Sequence, residues 1–305
     1  MKLPRYSRKT AEFLESIYAE CNRRGRLRRD PLALVAEYAE LRDRELAGLV
    51  ASILAFGSVD LIMDAVERVL EPLGSRPRRA LLRMDDGAIA EAWGGFQYRY
   101  CFPADMTAVM RGARNVISTY DSIEAFFAAG DPGGADISLA ASSFSRRFHA
   151  MAAAAFNGSA GHAVRAQDTA AGIRNSALQH GSVAECLPAG DCAFRANLLP
   201  DAARGSACKR LFLYLRWMAR EDSVDPGGWK SLDPARLIVP LDVHMARVCS
   251  DRLHFIDAPK ADLKRALAAT AAFRLYSPDD PVKYDFALTR PGIDPEPGDE
   301  RFGCS

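Results

Sequence analysis

Helices alone account for the apolar pattern of this 305-residue chain, which reads as an all-α protein. Hydrophobic residues recur at the i, i+3, i+4, i+7 spacing of buried helix faces through most of its length. A clean period of two appears once, over Phe96, Tyr98, Tyr100 and Phe102, with no second alternating run to pair with it. That run is read as an aromatic-rich turn tucked into the core. At 49% hydrophobic residues the chain can bury one large core or two smaller ones. Strand-poor chains of this size pack as bundles or orthogonal arrays of helices.

The first residues are polar and helical, without the apolar stretch of a signal peptide. Leu46, Leu49, Val50, Ile53 and Leu54 make one buried stripe over 44–56. Gly57 breaks that helix and Ser58 caps the next, with Asp60 favourable in its first turn. Leu61, Ile62, Ala65, Val66, Val69 and Leu70 form the inner side of this second helix. Two more helices are read at 105–119 and 121–128, the latter capped by Asp121 or Ser122. Glycine-rich stretches then bracket an alanine-rich helix between 130 and 165, a composition that predicts a poorly packed insert. Beyond 209 the pattern sharpens: Leu211, Tyr214, Leu215 and Met218 form a stripe with Trp217 beside it. Residues 234–240 are a connector, and helices follow at 243–252, at 262–273 and from Asp280-Pro281, where the missing proline N–H costs nothing. Four segments result: a basic helical N-terminal segment (1–43), a first helical part of the core (44–129), an insert and connector (130–204) and a second helical part (205–305). The first and second helical parts are expected to share one core around a cleft.

A formal charge of +1 excludes a histone-like or tail-driven nucleic-acid binder, but not a local basic surface. The densest basic run, Arg23-Arg24-Gly25-Arg26-Leu27-Arg28-Arg29, is either a contact for DNA phosphates or an ordinary solvated turn. No apolar run approaches the ~18–20 residues of a membrane span. Seven cysteines are scattered without a CxxC pair, which suggests reduced thiols in a cytoplasm and no zinc site.

The strongest chemical signal is the segment Pro240-Leu241-Asp242-Val243-His244-Met245-Ala246-Arg247-Val248-Cys249. Asp242 stands at a helix N-cap, where backbone N–H groups and the helix dipole favour its charged form. The ordinary reading is that it caps and does nothing else. The segment also resembles the helix-hairpin-helix DNA glycosylase superfamily, best known from endonuclease III. That pattern is Val-Asp-Thr-His, two variable residues, then Arg-Val and a small residue; Asp242, His244, Arg247 and Val248 fall in register. Residues 46–70 look like the family's first core helices, and 278–288 lie where its late core helix falls. The likeness spans 40–125 and 205–290, within a bacterial branch carrying Lys-Arg-Leu, Leu-Arg-Trp-Met, Pro-Leu-Asp-x-His and Asp-Pro-Val-Lys-Tyr-Asp-Phe-Ala-Leu motifs. It implies a glycosylase-like helical array with an extra central insert.

The sequence departs from that family in places. The family's Leu-Pro-Gly-Val-Gly hairpin, which grips a DNA phosphate, corresponds to Leu199-Pro200-Asp201-Ala202-Ala203 running on to Lys209, so the hairpin is degenerate. The four-cysteine C-terminal loop of endonuclease III is absent, and no iron–sulfur cluster or other cofactor is expected.

The resemblance makes Asp242 the catalytic carboxylate and Lys209, 33 residues earlier, either the nucleophile or an ordinary solvated lysine of a basic segment. Breaking an N-glycosidic bond builds positive charge on the sugar, which a fixed carboxylate stabilises. A lysine attacks C1′ only as a free amine, a form that burial and the neighbouring Arg210 would favour. The resulting Schiff base permits strand cleavage. His244 either orients Asp242 or plays a structural part. Lys283 lies near a helix start where a phosphate can dock, or on a solvated face. Trp217 and Phe56 either stack on an extruded base or fill the core. Arg23, Arg24 and Arg26 are the candidate phosphate contacts. The expected function is a DNA-repair glycosylase, with or without AP-lyase activity, on damaged or abasic duplex. The alternative is a catalytically silent helical protein that binds DNA or a partner and keeps Asp242 as a cap.

Overall fold

In the computed structural model, which describes residues 4–154 and 193–302, the core is built around one buried helix. Helix α1 (Arg8–Cys21) is capped by the Ser7 hydroxyl, which accepts from the Thr10 amide at 3.3 Å. The short α2 (Leu32–Ala36) leads into α3 (Leu41–Leu54), in which every residue from Leu46 to Leu54 is buried. In α4 (Val59–Leu70) the inner face is Ile62, Ala65, Val66, Val69 and Leu70. Leu61, which the stripe placed inside, is 54% exposed, because it falls a third of a turn off that face. Ser58 precedes α4 in extended backbone, but its side chain makes no capping bond.

Helices α5 (Pro77–Arg83) and α6 (Asp86–Trp93) are short, and neither offers enough turns for a periodicity to register. α6 is capped by Asp85, and its terminal Trp93 donates to the Val69 carbonyl at 3.1 Å. The alternating aromatic run is a turn, as expected: Tyr98 and Cys101 exchange two backbone hydrogen bonds, and Phe96 and Tyr98 are buried.

Helix α7 (Pro103–Tyr120) is followed by α8 (Ile123–Ala128), whose cap is Ser122 and not Asp121. Ser122 accepts from the Ala125 amide at 3.0 Å. Then comes α9 (Ser138–Ala153), the alanine-rich helix, and it is firmly part of the core. Ala140, Ala141, Phe144, Phe148 and Ala152 are buried. A Cβ added at Gly112 of α7 would stand 2.9 Å from the Ala152 Cβ, so small residues on both helices permit the close approach. The composition that suggested loose packing is here the means of tight packing. The rest of the expected insert, 155–192, lies outside the described residues.

The second half supplies α10 (Lys209–Ala219), α11 (Val243–Arg247), α12 (Leu263–Phe273) and α13 (Asp285–Ile293). α11 widens into a π turn over Val248–Arg252, and Asp262 caps α12 by accepting from the Arg265 amide at 2.9 Å. The last helix begins at Asp285, not at Asp280-Pro281. The Asp280 carboxylate that was expected to open it is bound instead to Arg220 at 2.8 Å.

Buried hydrophobic residues of both halves form one contiguous cluster, from Leu14 to Phe302. α3 and α10 meet closely at Gly48, where a Cβ would come 2.9 Å from Met218 and 3.3 Å from Tyr214. Glu45 ties further elements together. Its buried carboxylate accepts from the Ile123 amide at the start of α8 (3.1 Å), from Trp229 Nε1 (3.0 Å) and from Arg42 (2.8 Å). α1 packs on α13, and α13 on α11. Among the described residues no helix is long and apolar enough to cross a membrane.

Candidate active site

Two helix starts converge. Lys209 is the first residue of α10, and the turn before it is unusual: Cys208 adopts left-handed backbone with φ 46°. For a residue with a side chain this conformation costs about 1–2 kcal/mol. It is held by burial of Cys208 and by its thiol donating to the Pro200 carbonyl at 3.3 Å. Burial also pushes that thiol up to about 12. The stretch read as a degenerate hairpin is, in the structure, a 3₁₀ turn over Ala202–Arg204 ending at left-handed Gly205.

Asp242 is the N-cap of α11, and its two oxygens have different tasks. Oδ1 accepts from the Met245 amide at 2.8 Å, while Oδ2 lies 3.2 Å from Lys209 Nζ. Burial works against its ionisation, but Lys209, the Met245 N–H and nearby His244 outweigh it and hold the carboxyl below the usual range. Lys209 is 34% exposed and Asp242 21%, so the pair sits at the mouth of a depression and not in the interior.

Beneath the pair is a cavity of about 60 Å³. Its charged lining is balanced: Lys209, Arg216 and Arg290 face Asp30, Asp242 and Asp285, with Trp217 and Thr289 among the remaining walls. That volume suits about two waters and is far below the ~300–1,000 Å³ of ligand pockets. The deep wall belongs to an ionic network without a periodic trace in the sequence. Buried Arg216 donates to Asp225 at 2.8 and 3.0 Å and also to Asp285. Arg220 bonds Asp280, Asp222 and again Asp225. The only signal in the sequence was two arginines one turn apart on a helix face otherwise read as apolar.

The other expected site residues are placed as follows. Trp217 is buried and lines the cavity as part of its wall. Phe56 is stacked on Tyr100 (centroids 4.2 Å, interplanar 13°) and lies under Arg210 at 5.1 Å, so its ring already has partners where a base would stack. Arg210 donates to the Ile53 carbonyl at 3.0 Å, closing the end of α3. Lys283 is bound by both oxygens of Glu15, at 2.8 and 2.9 Å, and is not free to hold a phosphate. His244 is exposed beside Asp242. The arginine cluster is largely neutralised: Arg26 is buried against Asp299 at 2.6 Å, Arg23 meets Glu296 at 2.6 Å, and Arg28 meets Asp294 at 3.2 Å. Arg26 is therefore a structural ion pair, not a phosphate contact. Arg24 is exposed and makes no ion pair among the described residues. Cys21, Cys101, Cys208 and Cys249 are buried free thiols; Cys186, Cys192 and Cys304 lie outside the described residues.

The fold and this centre define an all-helical protein with a lysine–carboxylate pair set over a small charged cavity. The chain belongs to the family described as protein of unknown function (DUF2400), whose sequence model matches residues 30–294. No curated protein and no solved structure matches it.

Proposed function

We propose that the protein is a DNA glycosylase with AP-lyase activity, acting in the cytoplasm on damaged or abasic duplex through a helical array of the helix-hairpin-helix glycosylase type. The observation that carries this reading is the 3.2 Å approach of Lys209 Nζ to Asp242 Oδ2, from two helix starts distant in sequence. In this reading Asp242 stays ionised and stabilises the oxocarbenium-like sugar as the glycosidic bond breaks. The proton of Lys209 passes to the departing base, the amine bonds to C1′ as the C1′–base bond breaks, and the C1′–O4′ bond then opens as an amine proton moves to O4′. The Schiff base so formed allows β-elimination of the 3′ phosphate. The cavity as it stands is too small for a base, so substrate entry requires the walls at Trp217 and α13 to part.

A second reading has observations of its own. The small cavity and the paired arginines also suit a silent binding protein in which the Lys209–Asp242 bond is only structural. Borohydride trapping on duplexes containing oxidised, deaminated, alkylated or abasic nucleotides separates the two. An enzyme yields a covalent adduct with at least one of them, whereas a silent binder shifts the duplex in a gel and yields none.

A further inference from the structure

Asp285 is the third carboxylate of the cavity, beside Asp30 and Asp242. It opens α13, is only 6% exposed, and shares the cavity wall with Lys209 and Asp242. Arg216 anchors it through Oδ2, while Oδ1 makes no hydrogen bond among the described residues. The side chain is therefore held from behind, with one oxygen unengaged at a cavity that has room for about two waters.

We propose that Asp285 is the proton-holding partner of Lys209, a positioning residue that acts through the amine. The inference rests on reading Lys209 as an amine nucleophile. The proton balance is closed. Lys209–NH₃⁺, whose nearest carboxylate is Asp242, loses a proton through a cavity water to the Asp285 carboxylate, which leaves a neutral amine and a neutral acid. The amine adds to an aldehyde carbon, the N–C bond forms as the C=O π pair moves to oxygen, and that oxygen takes a proton from the nitrogen to give the carbinolamine. Asp285 then returns its proton as the carbinolamine loses water, and the products are an iminium, water and the Asp285 carboxylate.

The surroundings fit this division of labour. Asp242 is held below the usual carboxylate range and is a poor proton acceptor. Asp285 is the more basic of the two. Burial raises it to about 6, Arg216 opposes that rise, and Asp242 and Asp225 add to it. The other charged groups around it are largely engaged. Asp225 is bound by Arg216 and Arg220, and Asp30 by Arg290 at 3.1 Å. Cys249 behind it is a buried thiol that burial pushes well up, so it does not compete as an ionisable group.

The test uses glycolaldehyde as the probe, with cyanoborohydride to trap the imine, and reads Lys209 modification by peptide mass spectrometry between pH 5 and 8. In the wild-type protein Lys209 labelling is expected to rise with an inflection near pH 6. In Asp285→Asn the inflection disappears and labelling at pH 7 falls at least tenfold, with the far-ultraviolet circular dichroism unchanged. A wild-type profile without that inflection overturns the proposal, as does absence of Lys209 labelling, or an Asp285→Asn profile equal to wild type. If the variant does not fold, the wild-type profile alone decides. The DNA reading is judged apart. A wild-type inflection with no adduct on any damaged duplex keeps the role of Asp285 and removes the glycosylase, and an adduct that Asp285→Asn leaves untouched does the reverse.

Discussion

Asp242 holds Lys209 with one carboxylate oxygen and the start of its own helix with the other, at 3.2 and 2.8 Å respectively. The two tasks come apart in Asp242→Asn. Asparagine caps a helix about as well as aspartate, so urea denaturation should show a change of no more than about 1 kcal/mol. The lost charge should lower base release at least ~10²-fold, the scale seen when one preorganised electrostatic group is removed. Unaltered base release in the folded variant would assign Asp242 to capping alone.

The basic turn gives a contrast between neighbours. Arg26 is 1% exposed and its partner Asp299 7%, so Arg26→Ala leaves a buried carboxylate unpaired and should cost about 3–5 kcal/mol. Arg24→Ala, on the exposed side of the same turn, should stay within about 0.5 kcal/mol. Thermal unfolding of the two variants measures this directly. Equal effects would mean that the Arg26 pairing does not exist in solution.

Acid stability should depend on Asp222. Burial opposes its ionisation, but Arg220, the amides of Val224 and Asp225, and Asn22 hold it at about 2 against an ordinary 3.8. A carboxyl lowered on folding stabilises the protein above its unfolded value and loses that contribution as pH falls through the folded one. The contribution is about 2 kcal/mol near neutrality. The gap in unfolding free energy between wild type and Asp222→Asn should therefore be flat from pH 5 to 7 and close between about 4 and 2. A gap that widens on acidification would contradict the assignment.

The α7–α9 contact predicts the outcome of a substitution that is favourable in an isolated helix. Gly112→Ala gains roughly 1 kcal/mol of helix propensity. It also places a methyl 2.9 Å from the Ala152 Cβ and 3.1 Å from Phe148, an overpacking worth about 1–3 kcal/mol. The net result should be a protein destabilised by about 1 kcal/mol in urea. A stabilised variant would show that α9 yields easily.

These contacts also mark what the sequence could and could not convey. The stripes of α3, α4 and α10 were legible because each runs long enough for apolar spacing to show, and Ser122 and Asp262 announce the helices they cap. α5 and α6 were not, being too short for a period to register. α9 was misjudged because alanine and glycine at a tight helix crossing have the same composition as a loose insert. Lys209 and Asp242 stand out through a family pattern, but the left-handed backbone of Cys208, just before Lys209, has no local signal. Asp285 and Arg216 were missed as a pair because a buried ion pair leaves no periodic trace. Only the fold brings residues of α10 and α13 together.

In the proposed reaction Lys209 is an amine positioned for chemistry on a sugar carbon. The most direct measurement is borohydride trapping on a duplex carrying a single abasic site, with the adduct resolved on a denaturing gel and mapped by mass spectrometry. A nucleophilic Lys209 gives a covalent protein–DNA adduct at that residue in the wild-type protein and none in a folded Lys209→Gln variant. No adduct with the wild-type protein, or as much adduct with Lys209→Gln as with wild type, would rule out Lys209 as the nucleophile.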